Sequence, residues 1–588
     1  MRARFWVLLS GVVLCFCAIL VRLWWLHVWD APRRREEALQ ARHVYREFEA
    51  SRGLVVDARG VVLATTREAW DVGVDAHVLS DKDRARAGEV ASALGIGRAV
   101  VEEAFEKRFR APELPGGKPR PVSWVRIGED VGDAVAAKIR ALGIRAVYCA
   151  RRFVRDYPRG QLAAHLVGYL NRENVPMTGV ERAADWFLSG HRGSLLSRRD
   201  GRRLEMPHLR LRQIDPEHGS RVELTVDSFV QEICEREAEN ARAEFSPLSV
   251  SIIVSEARTG RLLGLANWPT FDLRAFGRAP DAARRNRAVA DFYEPGSVFK
   301  IVPVCMALNE GVVTPDDVFD CARAEVPYRG RKVSLPNDTH HLGVASVRDI
   351  VRESSNRGAA LLALRVAEAR GEQVFYDYAR AFGFGQPTGI SVAGAESAGV
   401  LHPPGSWDRL TLTRMPMGHS IAATPLQVHY AMGVVASGGR LFAPQLVRRI
   451  VSGSGDAVLV EFPDALERGR PVSPQVARTV ALMLRDVCRR GGTASAADIP
   501  GYDVAGKTGT TQKYDPVTKR PVRDRHVATF SGFFPVENPF LVITVVVDEP
   551  RRGGVGYGGL VAAPVFRRLA KGIIERLRIP PVSPVAVR

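Results

Sequence analysis

Ser297 and Lys300 stand three residues apart in the apolar run FYEPGSVFKIVPV. Three residues is just under one helical turn, so the two side chains share a face and can touch. A serine hydroxyl is a poor nucleophile until a base takes its proton, and a lysine can be that base only when neutral. Burial and a second cation both push a lysine's pKa down. Alone, the pair is also what an ordinary helix start looks like, because serine caps free backbone N–H groups and Glu-Pro-Gly reads as a turn. Two patterns downstream tip the balance toward chemistry. Ser354-Ser355-Asn356 is S-x-N, and Lys507-Thr508-Gly509 is K-T-G. No other lysine has a serine three positions before it, no other asparagine has one two positions before it, and K-T-G occurs once.

The residue types divide the work of an acyl transfer. Lys300 takes the proton of Ser297, and Lys507 is the cation that helps keep Lys300 neutral. Ser354 is placed to relay a proton toward a leaving amine, and Asn356 can donate its side-chain NH2 to a substrate amide carbonyl. Lys507 and Thr508 would hold a substrate carboxylate, and Gly509 lets the backbone approach closely. Backbone N–H groups of Ser297 and Thr510 would form an oxyanion hole.

These residues need elements to bring them together. PLSVSIIVSEARTGRLLGLANWP reads as strand, turn at Thr259-Gly260, strand. Helical text follows at Ile350 to Ala369 and Pro474 to Arg490, and HVATFSGFFP and FLVITVVVDEP return to strands near the end. Strands at both ends with helices between imply an α/β domain whose sheet is assembled from distant segments. A composition shift near residue 218 marks its start. Three parts are expected: a short tail and apolar anchor over 1–30, a non-catalytic region over 31–217, and a catalytic domain over 218–588. Within the middle part, RGLVVDARGVVLAT reads as a hairpin turning at Asp57-Ala58-Arg59-Gly60.

At 588 residues the chain is too long for one compact domain, and 46% hydrophobic and 25% charged residues are globular values. The net charge of +18 raises nucleic-acid binding. The basic clusters are short, however, and no RNP-type aromatic motif or zinc-finger spacing accompanies them, so no nucleic-acid partner is expected. None of the seven cysteines forms a C-x-x-C pair, which leaves buried thiols or one long-range disulfide open. His340, His341, His419 and His526 lack ligand spacing and read as polar or packing residues; no metal or organic cofactor is expected. Phe5 to Val21 is uncharged and near the lower limit for crossing a bilayer. Arg22 can snorkel, and Trp24, Trp25 and Trp29 suit an interface. No small-x-small cleavage site follows, so one anchor helix with nearly all of the chain beyond the membrane is the expected topology.

With these motifs in place, the chain resembles the class B penicillin-binding proteins, the membrane-anchored monofunctional peptidoglycan D,D-transpeptidases. RNRAVADFYEPGSVFK and VCRRGGTASAADIPGYDVAGKTGT resemble the family's approaches to its nucleophile and to K-T-G. HSIAATPLQVHYAMGVVASGGRLFAPQLV is similar to the stretch between the second and third motifs. RGLVVDARGVVLAT and RDYPRGQLAAHLVGYL, with Gly179 and Glu181, resemble its non-catalytic pedestal. Two departures are visible: Val298 stands where threonine is frequent, and Gly418-His419-Ser420 replaces a glycine–aromatic–glycine run. The resemblance implies a mainly antiparallel sheet flanked by helices plus a helical subdomain, an elongated pedestal, and one transmembrane helix. It further implies stem peptides ending in D-Ala-D-Ala as substrate, β-lactams as inhibitors, and a septal role, with an elongation role as the alternative. A SEDS-family glycan polymerase, division-complex proteins and the cytoplasmic membrane are the implied partners. The same motifs serve β-lactamases, D,D-carboxypeptidases and β-lactam sensors, but a β-lactamase is shorter and lacks anchor and pedestal. GYDVAGKT, Gly501 to Thr508, also fits the phosphate-loop pattern letter for letter. Its lead-in TASAADIP and its exit GTTQKYDPVTKRP supply neither the entering strand nor the leaving helix that such a loop needs.

Overall fold

In the computed structural model the described residues are 2–582, apart from 42, 111–119, 123, 199, 201–204, 393, 395, 516, 517, 519 and 553–555. The chain divides into two compact units. One comprises Met1–Arg52, Ala69–Phe153 and Ser189–Gly219; the other comprises Gly53–Glu68, Val154–Leu188 and Ser220–Arg588.

In the first unit, helix Arg2–Trp24 continues into one wider π-helical segment, Trp25–Trp29. The apolar stretch Arg4–Trp29 is 26 residues long with no part of its span buried, about 39 Å at 1.5 Å per residue, enough to cross a bilayer. The Arg22 guanidinium lies 4.9 Å from the Trp25 ring centre, an amphipathic arrangement suited to a membrane interface. Farther along, the end of strand Val62–Val74 pairs antiparallel with Val125–Val131. Val72, Val90, Val101, Phe105, Ile127 and Ile139 form a small core of their own between these strands and helices Ala87–Leu94, Arg98–Glu106 and Asp133–Ala141.

The second unit holds a five-stranded antiparallel sheet in the order Leu262–Trp268, Ser249–Glu256, Leu541–Asp548, Pro521–Phe534, Ala505–Tyr514. The first two strands are the hairpin expected around Thr259-Gly260, and the other three come from the far end of the chain. Because strand side chains alternate, the Pro521–Phe534 strand feeds both faces. Phe530 and Phe534 meet Phe566 of helix Gly558–Leu577 on one side. On the other, Ser531 Oγ hydrogen-bonds Thr544 Oγ1 at 2.7 Å, and His429 of helix Pro425–Ala436 sits 3.0 Å from that same hydroxyl. Helices Ile301–Asn309, Asn356–Arg370 and Pro474–Cys488 complete the helical part on this second side. The Asp57–Gly60 hairpin turn is also formed: Asp57 Oδ1 accepts the Arg59 and Val61 N–H groups at 2.8 and 2.7 Å. The fold is thus the mixed one expected, a mainly antiparallel sheet with flanking helices.

One expectation fails in an instructive way. The helical text from Ile350 to Ala369 is not one helix but two, Val347–Arg352 and Asn356–Arg370. Ser354 between them is left-handed, with φ 60°, a conformation that non-glycine residues seldom adopt. Ser355 then restarts the helix as its N-cap, its hydroxyl accepting the Gly358 N–H at 2.9 Å. The break falls inside S-x-N.

Candidate active site

The nucleophile turn is built by close backbone contact. Gly296 and Gly418 have φ values of 56° and 84°, and Gly296 N–H donates to the Gly418 carbonyl at 3.2 Å. A Cβ on Gly418 would lie 2.1 Å from the Gly296 oxygen, so only glycine fits there. Gly296–Lys300 form a 3-10 turn that runs straight into helix Ile301–Asn309. Val298 and Phe299 are buried beneath it, and half-buried Ser297 is on its upper side.

Lys300 is 3% exposed and Lys507 only 1%. Lys300 Nζ donates to Asn356 Oδ1 at 2.7 Å, to Ser354 Oγ at 3.2 Å and to the Ser354 carbonyl. Lys507 Nζ donates to the same Ser354 hydroxyl at 2.8 Å. All four predicted side chains Lys300, Ser354, Asn356 and Lys507 therefore meet, although they are far apart in the chain. The left-handed backbone at Ser354 is what aims its carbonyl and hydroxyl together at Lys300. The structure differs from the simplest reading in one respect. Among the described residues no hydrogen bond joins Ser297 to Lys300, whose ammonium is turned toward S-x-N instead.

Burial dominates the electrostatics. It pushes the Lys300 pKa well below the usual lysine range, the Lys507 ammonium pushes it further the same way, and Asp338 opposes both. Burial also brings Lys507 down to about 7. Two lysines that would be cations on a surface are thus both poised to lose protons, which is what a lysine base requires.

Thr508, Gly509 and Thr510 lie on strand Ala505–Tyr514, at the edge of the sheet. An edge strand keeps backbone N–H and C=O groups free for an extended peptide. A Cβ on Gly509 would come within 2.9 Å of the Pro295 carbonyl, so this glycine lets the strand press against the nucleophile turn. Thr508 Oγ1 is 3.5 Å from Thr493 Oγ1, and Thr510 Oγ1 accepts the Gly558 N–H at 2.9 Å. Beyond Thr510, a trough of about 440 Å³ runs past Thr511, Gln512, Lys513, Tyr293 and Glu294. The same strand disposes of the phosphate-loop pattern: Lys507 and Thr508 sit inside a strand, not in a loop that leads directly into a helix.

Sequence reasoning missed Asp338, whose carboxylate accepts Ser355 Oγ–H at 2.7 Å and the Asn356 and Arg357 N–H groups. It belongs to no motif and reaches S-x-N only through the fold. Glu294 was passed over as part of a turn; its Oε1 accepts the Ser420 N–H at 3.1 Å and its Oε2 lies 3.8 Å from His419 Nε2. His419 is thereby a packing neighbour of the nucleophile turn. All seven cysteines are free thiols, which closes the disulfide alternative.

Residues 250–571 match the penicillin-binding protein transpeptidase domain, and residues 47–224 match the penicillin-binding protein dimerisation domain. Penicillin-binding protein PbpB of Mycobacterium tuberculosis is 31% identical, over 95% of this chain and 83% of its own length. Peptidoglycan D,D-transpeptidase FtsI of Escherichia coli is 27% identical, over 98% of this chain and 92% of its own. The crystal structure of penicillin-binding protein 3 from Mycobacterium tuberculosis, complexed with aztreonam, superposes with a TM-score of 0.69 at 28% identity, covering 92% of this chain and all of that one (100%). With the transpeptidase match alone spanning more than half of the 588 residues, the chain belongs to the penicillin-binding proteins, as a class B peptidoglycan D,D-transpeptidase.

Proposed function

We propose that Ser297 is the nucleophile that cross-links peptidoglycan stem peptides. Neutral Lys300 takes the Ser297 proton while Oγ attacks the carbonyl of the penultimate residue of a D-Ala-D-Ala terminus. The C–N bond breaks, and the terminal D-Ala leaves as an amine that receives its proton by way of Ser354. An amine of a neighbouring stem then attacks the ester, its surplus proton returns through the same groups, and Ser297 is regenerated. Backbone N–H groups of Ser297 and Thr510 hold the oxyanion, Asn356 binds the substrate amide, and Lys507 with Thr508 binds the terminal carboxylate. The observation that carries this reading is the continuous contact Lys300–Ser354–Lys507, with both lysines buried and Lys300 one turn along the chain from Ser297.

β-Lactams mimic the D-Ala-D-Ala terminus and acylate the same serine. Intact-mass analysis with a β-lactam is the test: one adduct on the full chain, mapped to Ser297 and absent from Ser297→Ala. An equal adduct on the variant would overturn the assignment. The helix Arg2–Trp24 anchors the chain in the cytoplasmic membrane, with the catalytic domain on the outer side. A SEDS-family glycan polymerase and division proteins are its partners. The resemblance of AGKTGTTQK and the pedestal text to division-type members supports septal rather than elongation work. A fluorescent fusion is expected at mid-cell; an even lateral distribution would favour elongation.

A further inference from the structure

Each residue of the segment Pro336-Asn337-Asp338 grips the stretch Ser355–Arg357, where S-x-N runs into helix Asn356–Arg370. The Pro336 carbonyl accepts Arg357 Nε at 3.2 Å, and the Asn337 carbonyl accepts Asn356 Nδ2 at 2.8 Å. Asp338 takes the Ser355 hydroxyl at 2.7 Å and the first two free N–H groups of helix Asn356–Arg370. A carboxylate at a helix start is favoured by the helix dipole and by those unsatisfied donors. Here the helix is the one whose first residue also touches Lys300. We propose that Asp338 is a positioning residue for acylation: its carboxylate fixes the Ser354–Asn356 turn against Lys300 and supplies a negative charge near that lysine.

The two halves of that role act on different quantities. The clamp sets where Ser354 Oγ and Asn356 Oδ1 stand, and the carboxylate's charge acts on Lys300. The charged or titratable groups that influence Lys300 or lie beside it are Lys507, Asp338 and His419, and those around Asp338 include Lys300, Cys321 and the Arg357 backbone. Lys507 and burial favour neutral Lys300, whereas Asp338 favours the ammonium. Removing the charge while keeping the shape therefore frees Lys300 of its proton at lower pH, and removing only the clamp leaves the titration where it was.

This proposal rests on Lys300 being the base, and its test keeps the two claims apart. The second-order rate of β-lactam acylation is measured from pH 5 to 9 on the full chain in detergent. Lys300 is titrated in parallel by NMR of lysine labelled with 13C at Cε and assigned with Lys300→Arg. In Asp338→Asn both the acid limb of the rate and the Lys300 midpoint move down by roughly one pH unit. In Ser355→Ala, which keeps the charge but loses one arm of the clamp, the rate falls severalfold and the midpoint stays. Asp338→Ala shows both effects. A Lys300 midpoint unmoved in Asp338→Asn, or full acylation by Asp338→Ala, overturns the role given to Asp338. Wild-type chain that takes up no β-lactam would overturn the acyl-enzyme reading instead, and the NMR midpoints would still judge Asp338.

Discussion

Two lysines share one buried pocket in this protein, and neither can carry a full charge there without cost. Lys507, at about pKa 7 in the folded chain and near 10.4 when unfolded, opposes folding most strongly below pH 7. There the unfolded chain holds a proton that the folded site resists. As pH rises from 7 toward 10 the penalty fades, because the unfolded lysine loses its proton too. Lys507→Met is thus expected to raise the apparent melting temperature at pH 6 to 7 while abolishing acylation, with the gain shrinking toward pH 10; a lower melting temperature at pH 6 would count against the buried-cation account. Stability given up at a reactive centre is a common pattern. The residue types at this centre were legible in the sequence, since S-x-x-K, S-x-N and K-T-G each occur once. Which atoms meet was not. Spacing suggested Ser297 against Lys300, whereas the fold turns Lys300 toward Ser354 and Asn356, partners more than 50 residues away whose approach depends on a left-handed serine.

At the scale of elements, the site depends on backbones that touch. Gly418 belongs to the run that departs from the family's usual glycine–aromatic–glycine, yet its glycine is the part that the geometry demands. Gly418→Ala would place a Cβ 2.1 Å from the Gly296 carbonyl at φ 84°, displacing the turn that carries Ser297. Acylation is expected to fall by about ten- to a hundredfold, whereas Gly455→Ala, with open space around its Cα, should leave it unchanged. Equal rates in both variants, read by the stopped-flow acylation rate, would contradict the clamped-turn account. Both hairpins, at Asp57–Gly60 and Thr259-Gly260, could be read directly, because turn residues between apolar runs act locally. The break at Ser354 could not. Serines are tolerated in helices, and the group that draws the chain into a new N-terminus, Asp338, arrives from a separate loop.

Over the whole molecule, the sequence conveyed a membrane-length apolar helix and a sheet assembled from distant strands, and both are present. What it did not convey is that Gly53–Glu68 and Val154–Leu188 join the larger compact unit. Val55–Val56 does so by pairing in parallel with Arg221–Leu224, a long-range match of β-strands that local pattern cannot specify. The full chain is the right object for the decisive measurement: incubation with a stem peptide ending in D-Ala-D-Ala and an acceptor amine, with released D-Ala and the protein's mass followed together. One D-Ala released per cross-link is expected, with a transient mass gain equal to the donor less D-Ala, mapped to Ser297 and lost in Ser297→Ala. D-Ala release undiminished in Ser297→Ala, or an acyl group carried on another residue, would contradict the acyl-enzyme on Ser297.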